Sequence, residues 1–87
     1  MLTREEVLAE AASIITGNRE ESYGKPEDSF AEIAQLWSWY VGKPIYPGDV
    51  AKMMILLKIV RSGHAEKRDN YVDIAGYAAI ACELAEV

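Results

Sequence analysis

Apolar positions recur at helical spacing in four segments of the chain, and no segment shows the alternation typical of a strand. The first segment begins with Thr3 and Glu6, which have the spacing of a capping box, and its apolar positions continue until Gly17. This pattern predicts a first helix over residues 3–16. The polar stretch after it, residues 18–25, is predicted to be a loop.

Prolines mark the starts of the two middle helices. Pro26 suits the first position of a helix, and a stripe at i, i+3, i+4 and i+7 follows it, formed by Phe30, Ile33, Ala34, Trp37 and Val41. This second helix is predicted to end near Gly42. Pro47 begins a third helix, which is apolar on nearly every side except at Lys52 and Lys58 and is predicted to end at Gly63. We therefore expect the third helix to be central and buried.

The fourth helix follows a short basic connection, residues 64–68. Asp69 suits the cap of this helix, which carries Tyr77, Ile80 and Leu84 on one face. The short connection predicts that helices 3 and 4 form an antiparallel hairpin. No repeat or linker divides the chain, so residues 1–87 are predicted to form one all-α domain, a compact four-helix unit.

Composition adds a partner and a location to this picture. A chain of 87 residues buries only about 60% of its unfolded surface, yet 51% of these residues are hydrophobic. We therefore predict that homo-oligomerisation completes the core. The N-terminal segment does not resemble a signal sequence, and the longest apolar run is too short to span a membrane, so a cytoplasmic location is predicted. Cys82, the only cysteine, is expected to lie in the core of a protein in a reducing compartment.

The charge is acidic overall but unevenly distributed. A net charge of −5 disfavours binding to a DNA or RNA polymer. Four of the nine basic residues, however, lie within eleven positions around His64, namely Lys58, Arg61, Lys67 and Arg68. This cluster predicts binding of a small phosphorylated anion. His64 has no second His or Cys at metal-ligand spacing. We therefore expect a solvated loop histidine and no zinc site.

The antiparallel hairpin brings four of these charged positions to one end, because the last turns of helix 3 lie beside the first turns of helix 4. Helical periodicity places Arg61 in line with core positions of helix 3, and it places Asp69 and Asp73 on the core-facing side of helix 4. One interpretation is a structural Arg61–Asp73 salt bridge beside an extended Lys58. The alternative is a functional site, in which Asp69 and Asp73 share Mg²⁺ and the cations bind phosphate oxygens.

Other positions extend the functional interpretation. Asp28 and Glu32, at i and i+4 on helix 2, can add metal-binding carboxylates. Tyr23 and Gly24 can stack on a base and allow close backbone approach, although an ordinary turn explains them equally well. Gly76 indicates either close helix packing, which we favour, or a ligand against the backbone. Of Trp37 and Trp39, we expect one to lie in the core and the other at the surface or an interface.

The chain resembles a small phage and prophage domain of unknown function. The resemblance rests on the pairs Tyr23-Gly24 and Leu57-Lys58, on Arg61, and on the segments 49–51 and 69–77. The Lys-x-x-Arg element and the Asp-x-x-x-Asp-Ile-x-x-Tyr element, which ends at Tyr77, also resemble nucleotide-modification-associated domains. Tyr77 is accordingly included among the candidate ligand-binding residues.

The helical plan more distantly resembles the MazG-like all-α nucleoside triphosphate pyrophosphohydrolases. This resemblance implies an oligomer that holds Mg²⁺ and cleaves an NTP or dNTP to the monophosphate and pyrophosphate. Asp69 and Asp73 would match the second acidic motif of that family, and Asp28 and Glu32 would stand for the first. The usual first motif has two glutamates three apart, whereas the spacing here is four and an aspartate leads.

Three hypotheses of function follow. In the first, the protein is a Mg²⁺-dependent pyrophosphohydrolase whose catalytic residues are Glu32, Asp69 and Asp73, with Glu32 or Asp69 orienting the water. In the second, it is a non-catalytic phage protein that sequesters a nucleotide or cyclic nucleotide. In the third, it is a structural helical oligomer in which the charges form a buried network.

Overall fold

The computed structural model describes residues 2–17 and 25–86, and these residues form four helices and no strand. The helices are α1 (Arg4–Thr16), α2 (Pro26–Val41), α3 (Pro47–His64) and α4 (Arg68–Ala85). The all-α prediction and the order of the four helices are confirmed. Tyr23 and Gly24 lie outside the described residues.

Local capping interactions explain the ends of α1 and α2. The Thr3 hydroxyl accepts a hydrogen bond from the Glu6 N–H at 3.1 Å, and the Glu6 carboxylate accepts one from the Thr3 N–H at 3.4 Å. The predicted capping box is therefore confirmed. At the end of α2, Gly42 has a φ of 79° and donates its N–H to the Ser38 carbonyl at 2.8 Å. This left-handed conformation favours glycine and ends the helix.

Two predicted helix ends differ from the structure. α3 continues through Gly63 to His64, and Ala65 is its C-cap, because Gly63 adopts ordinary helical geometry in the last turn. α4 begins at Arg68 after the extended Lys67, so Asp69 lies in the first turn and is not the cap. A carboxylate in the first turn still interacts favourably with the positive end of the helix.

α3 and α4 form the predicted antiparallel hairpin and share the most extensive packing in the fold. α1 packs on α4 and runs parallel to it, since Glu10 lies beside Arg68 while Ile15 lies beside Gly76. A Cβ atom on Gly76 would lie 3.0 Å from the Ile15 Cγ2 atom. Gly76 therefore permits the close helix packing that the sequence favours.

Ser38 connects α2 to the start of α3. Its hydroxyl accepts a hydrogen bond from the Ile45 N–H at 2.7 Å and donates one to the Ile45 carbonyl at 3.1 Å. One side chain thus satisfies both backbone groups of a residue in the connection. This pair of bonds fixes the direction in which the chain leaves α2.

The core is built mainly from small side chains at helix contacts. Its buried apolar members are Ala11, Ala34, Val50, Ala51, Val72, Tyr77 and Ile80. The Tyr77 ring packs against Phe30, with ring centroids 6.2 Å apart. This contact joins α4 to α2.

Cys82 is exposed, so its predicted core position is wrong. It lies two residues, or about 200° around the helix, from the buried Ile80. The prediction for the tryptophans is confirmed for the surface position, since Trp39 is 82% exposed, whereas Trp37 is half-buried and does not belong to the core.

The prediction that α3 is the central, buried helix is wrong, because only Val50 and Ala51 are buried on it, whereas α4 carries five buried residues and packs on both α3 and α1. The outer face of α3, opposite α4, carries four exposed apolar side chains at i, i+3, i+4 and i+7, which we call the α3 outer stripe: Met53, Leu56, Leu57 and Val60. The last turns of α2 carry a second exposed set, the α2 outer stripe: Leu36, Trp39 and Tyr40. Both stripes are apolar faces without a partner among residues 2–17 and 25–86. Among the four described helices, none has the length and apolar content needed to cross a membrane.

Candidate functional site

An ion pair joins the two helices of the hairpin on their facing sides. The Lys58 Nζ atom lies 2.8 Å from the Asp73 Oδ2 atom, and the two side chains are only 14% and 20% exposed. At this depth a carboxylate without a cation would be strongly unfavourable, so each charge stabilises the other. Two of the four charges that the sequence places at this end of the hairpin, Lys58 and Asp73, are therefore in contact.

The predicted partners of that ion pair were wrong in one respect. Arg61, expected to pair with Asp73, is exposed, and Lys58 takes its place. The inward row of α3 runs through Ala51, Ile55 and Lys58, at spacings of four and three residues. Arg61 is about 60° away from Lys58 around the helix axis, and that rotation is sufficient to bring it to the surface.

Asp69 lies one helical turn before Asp73 and is exposed. As a first-turn residue of an 18-residue helix, it lies at the positive end of the helix dipole. The two carboxylates are at i and i+4, on the same side of α4. One is thus held by a lysine at the interface, and the other is open to solvent.

Asn70 is a buried polar residue that the sequence argument did not single out. It is 7% exposed, and its side-chain amide donates a hydrogen bond to the Ala65 carbonyl at 3.4 Å. This bond ties the start of α4 to the end of α3, beside the ion pair. The sequence did contain the signal, because Asn70 lies at i, i+3 and i+7 with Asp73 and Tyr77 on one helical face.

Lys67 and Arg68 lie on the side of the hairpin connection that faces α1. They line an open pocket of about 680 Å³ between the N-terminal ends of α1 and α4, together with Leu2, Glu6, Val7, Glu66 and Tyr71. The Arg68 Nε atom lies 3.6 Å from the Glu10 Oε2 atom, with both side chains partly exposed. An exposed pair at this distance contributes little to stability, so the Arg68 guanidinium is available to an anion.

Tyr71 lies at the mouth of the same pocket. Its hydroxyl donates a hydrogen bond to the Glu66 carboxylate at 2.7 Å. This bond, followed by burial and the negative charge of Glu66, raises the pKa of the Tyr71 hydroxyl. Tyr71 is therefore held protonated as a hydrogen-bond donor.

The remaining predicted site residues lie elsewhere. Asp28 and Glu32 are exposed on α2, and Tyr77 lies in the core against Phe30. Across residues 2–17 and 25–86, no three or more His, Cys, Asp or Glu side chains are placed to hold a metal ion together. One chain therefore does not bring three of the four predicted metal ligands into one cluster. Asp69 and Asp73 alone still suit Mg²⁺, which commonly uses one or two carboxylates, waters and substrate phosphates.

Comparison with known proteins gives a family but no activity. The family model described as a domain of unknown function, DUF6378, matches residues 6–85. The Gene 55 protein of Mycobacterium phage D29 is 47% identical over 75 residues, which cover 85% of this chain and 50% of that protein. The Gene 55 protein of Mycobacterium phage L5 is 45% identical over 76 residues, covering 85% and 49%. The chain thus spans about half the length of these curated relatives. No solved structure matches it.

Proposed function

The chain belongs to the DUF6378 family, and we propose that it is a nucleotide-directed phage-type protein of the host cytoplasm that binds phosphate groups at the α3–α4 hairpin. The proposal is supported by one observation above all, the Lys58–Asp73 ion pair between the two helices. A hydrophobic pair of similar volume would stabilise the interface at least as well. We therefore assign the charged pair to function.

Exposed charges extend the ion pair towards solvent. Arg61 lies one turn after Lys58, and Asp69 lies one turn before Asp73. A guanidinium group can bind two phosphate oxygens at once, and a neighbouring lysine adds positive charge. Arg61 and Lys67 are accordingly the residues that we assign to first contact with the phosphates.

The finer proposal is Mg²⁺-dependent hydrolysis of an NTP or dNTP of the MazG-like kind. Asp69 and Asp73 would hold the ion, which when bound would supply positive charge to the phosphate oxygens. Asp69 would orient the water that attacks the α-phosphorus, and pyrophosphate would be the leaving group. Lys58 and Arg61 would neutralise the charge that develops on the oxygens.

A second candidate is binding of a nucleotide or cyclic nucleotide without turnover. It is favoured by the distribution of carboxylates, since the part of the chain that the structure describes holds no cluster of three or more metal-ligating side chains. Phosphate recognition by Arg61, Lys67 and Arg68 does not require such a cluster. Both candidates use the same cations, and they differ in whether the ligand is recovered unchanged.

A nucleotide panel with and without Mg²⁺ tests these proposals. A ligand that binds the folded state raises the melting temperature, and pyrophosphate release reports hydrolysis. We expect stabilisation by at least one nucleotide, with weaker binding in Arg61→Ala and unchanged binding in Lys52→Ala, an exposed lysine elsewhere on α3. Stabilisation without pyrophosphate release would reject the enzyme and retain the binding protein.

Absence of stabilisation across NTPs, dNTPs and cyclic nucleotides would reject both candidates. The Lys58–Asp73 pair would then be explained by the third hypothesis, a structural network in a helical oligomer. An equal loss of binding in Lys52→Ala and Arg61→Ala would also contradict the assigned site, because it would indicate non-specific attraction to positive charge.

A further inference from the structure

The α3 outer stripe is a continuous apolar row on one face of α3. Leu56 and Val60 are 62% and 64% exposed, although they follow the i, i+4 spacing of residues that normally face a partner helix. Met53 and Leu57 complete the row at 40% exposure each. Single exposed apolar residues are common, but a row of four on one helix face marks an interaction surface.

The accessible area of the chain indicates the size of the missing contact. The chain exposes 6531 Å², whereas folded monomers of this mass expose about 5,100 Å². The excess is roughly 1,400 Å², and a standard interface covers about 800 Å² on each partner. One interface of ordinary size would therefore cover more than half of the excess.

The row is also complementary to itself. Suppose that two copies of α3 lie antiparallel about a two-fold axis between Leu56 and Leu57. Leu56 of each copy then faces Leu57 of the other. The same operation places Met53 opposite Val60. A large side chain then meets a smaller one at both ends of the apolar row.

The polar residues at the two ends of the row agree with this arrangement. Asp49 precedes the row on the same face, and His64 follows it. In the antiparallel pair the carboxylate faces the imidazole of the second copy, whereas a parallel pair would place like groups together. The helix dipoles also oppose each other favourably only in the antiparallel pair.

We propose that a second copy of this chain covers the α3 outer stripe, with the two α3 helices antiparallel about an axis between Leu56 and Leu57. The row itself contains no charged residue, so the two acidic chains approach each other through their neutral faces. This dimer does not depend on nucleotide binding.

Sedimentation analysis of the full chain tests the proposal. We expect a particle of twice 9.7 kDa, conversion to a monomer by Leu56→Glu, and no change in Leu8→Glu, whose parent residue is equally exposed on α1. Circular dichroism verifies folding of each variant. If Leu56→Glu fails to fold, Val60→Glu replaces it, because Val60 lies in the same stripe and is 64% exposed. A monomeric parent chain, or a dimer that survives substitution of the stripe, would overturn the proposal.

Cross-linking in a Cys82→Ser background tests the direction of the helices. Under mild oxidation Leu57→Cys should form a disulfide dimer, because this position lies next to the axis. Met53→Cys should not form one. Position 53 of one copy faces position 60 of the other, so the two introduced cysteines lie seven residues apart, about 10 Å along the helix, which is too far for a disulfide. Cross-linking of both variants would indicate parallel helices, and cross-linking of neither would exclude contact at the stripe. Either result contradicts the antiparallel arrangement.

Discussion

The two faces of α3 (Pro47–His64) differ in an unexpected direction. The inner face presents the charged Lys58 to α4, where its side chain is 14% exposed, while the outer face presents Leu56 to solvent at 62% exposure. Folding of one chain alone would favour the reverse, with the leucine against α4 and the lysine in solvent. The stability of the monomer therefore does not account for either face. Our two proposals assign the inner charge to a ligand and the outer stripe to a second copy.

The largest effect is expected from removal of the inner carboxylate. Asp73→Ala leaves the Lys58 ammonium group without its partner at an interface with little access to water. We expect the free energy of unfolding to fall by about 3 kcal/mol, as for other buried ion pairs that lose one member. Urea denaturation measures this change. The matched control is Asp69→Ala, an exposed carboxylate one turn earlier, for which a loss below about 1 kcal/mol is expected.

A double variant separates charge from packing at the same place. Lys58→Met combined with Asp73→Leu should recover most of the stability that Asp73→Ala loses, because no charge then remains buried. The same double variant should lose nucleotide binding if the pair serves a ligand. Equal stability of Asp73→Ala and Asp69→Ala would contradict the inner face as described.

A smaller effect is expected where α1 meets α4. Gly76→Ala adds a Cβ atom 3.0 Å from the Ile15 Cγ2 atom, and crowding of this kind costs about 1–3 kcal/mol. The better helix propensity of alanine offsets about 1 kcal/mol of that cost. Thermal and urea unfolding should therefore show a net destabilisation of about 1 kcal/mol. In an Ile15→Ala background the same substitution should stabilise, and destabilisation there would show that packing on Ile15 is not the reason for the glycine.

The outer face should affect stability only through association. The melting temperature of the parent chain should rise with protein concentration, because dimer formation stabilises the folded state by mass action. Leu56→Glu should remove this dependence while changing the melting temperature at the lowest concentration by less than about 4 °C, as for an exposed position. Differential scanning fluorimetry over a hundredfold concentration range measures both. A large loss in dilute solution would show that Leu56 belongs to the core of the monomer.

The smallest effect is expected at the hairpin connection, next to the inner charges. The hydrogen bond from Tyr71 to Glu66 raises the Tyr71 pKa above its ordinary 10.0. Because the folded pKa is the higher one, this contribution to stability is complete below pH 10 and is lost as the pH rises through the folded value. An NMR titration of the Tyr71 ring, assigned with Tyr71→Phe, should show a lower pKa in Glu66→Ala, which removes the acceptor of the hydrogen bond. An unchanged pKa would reject the hydrogen bond as its cause.

The sequence predicts the four helices well because their ends depend on nearby residues. The capping box of Thr3 and Glu6 and the proline at position 26 act within one turn, and the structure reproduces both. The end of α3 was less predictable, because Gly63 is as compatible with a last turn as with a stop. The position of a helix end therefore follows from sequence wherever one residue decides it locally.

The orientation of each helix about its axis was harder to predict. α3 is apolar on nearly every side, so periodicity alone did not distinguish the inward row of Lys58 from the outward row of Leu57. Arg61 was consequently assigned to the core and Lys58 to its edge, the reverse of the structure. Exposure of Cys82 has the same explanation, because α4 is rich in alanine around it. The set of charges at the hairpin was predictable, whereas their pairing depends on tertiary contacts.

The parallel packing of α1 on α4 has a consequence for the order of folding. The α3–α4 hairpin closes a connection of three residues, whereas the contact of Ile15 with Gly76 closes a loop of about sixty. Loop closure of that length is entropically costly, so we expect the hairpin to form in the transition state and α1 to dock after it. Ile15→Ala should then accelerate unfolding and leave the folding rate nearly unchanged. Of the four helices described, α1 would be synthesised first and would join the fold last.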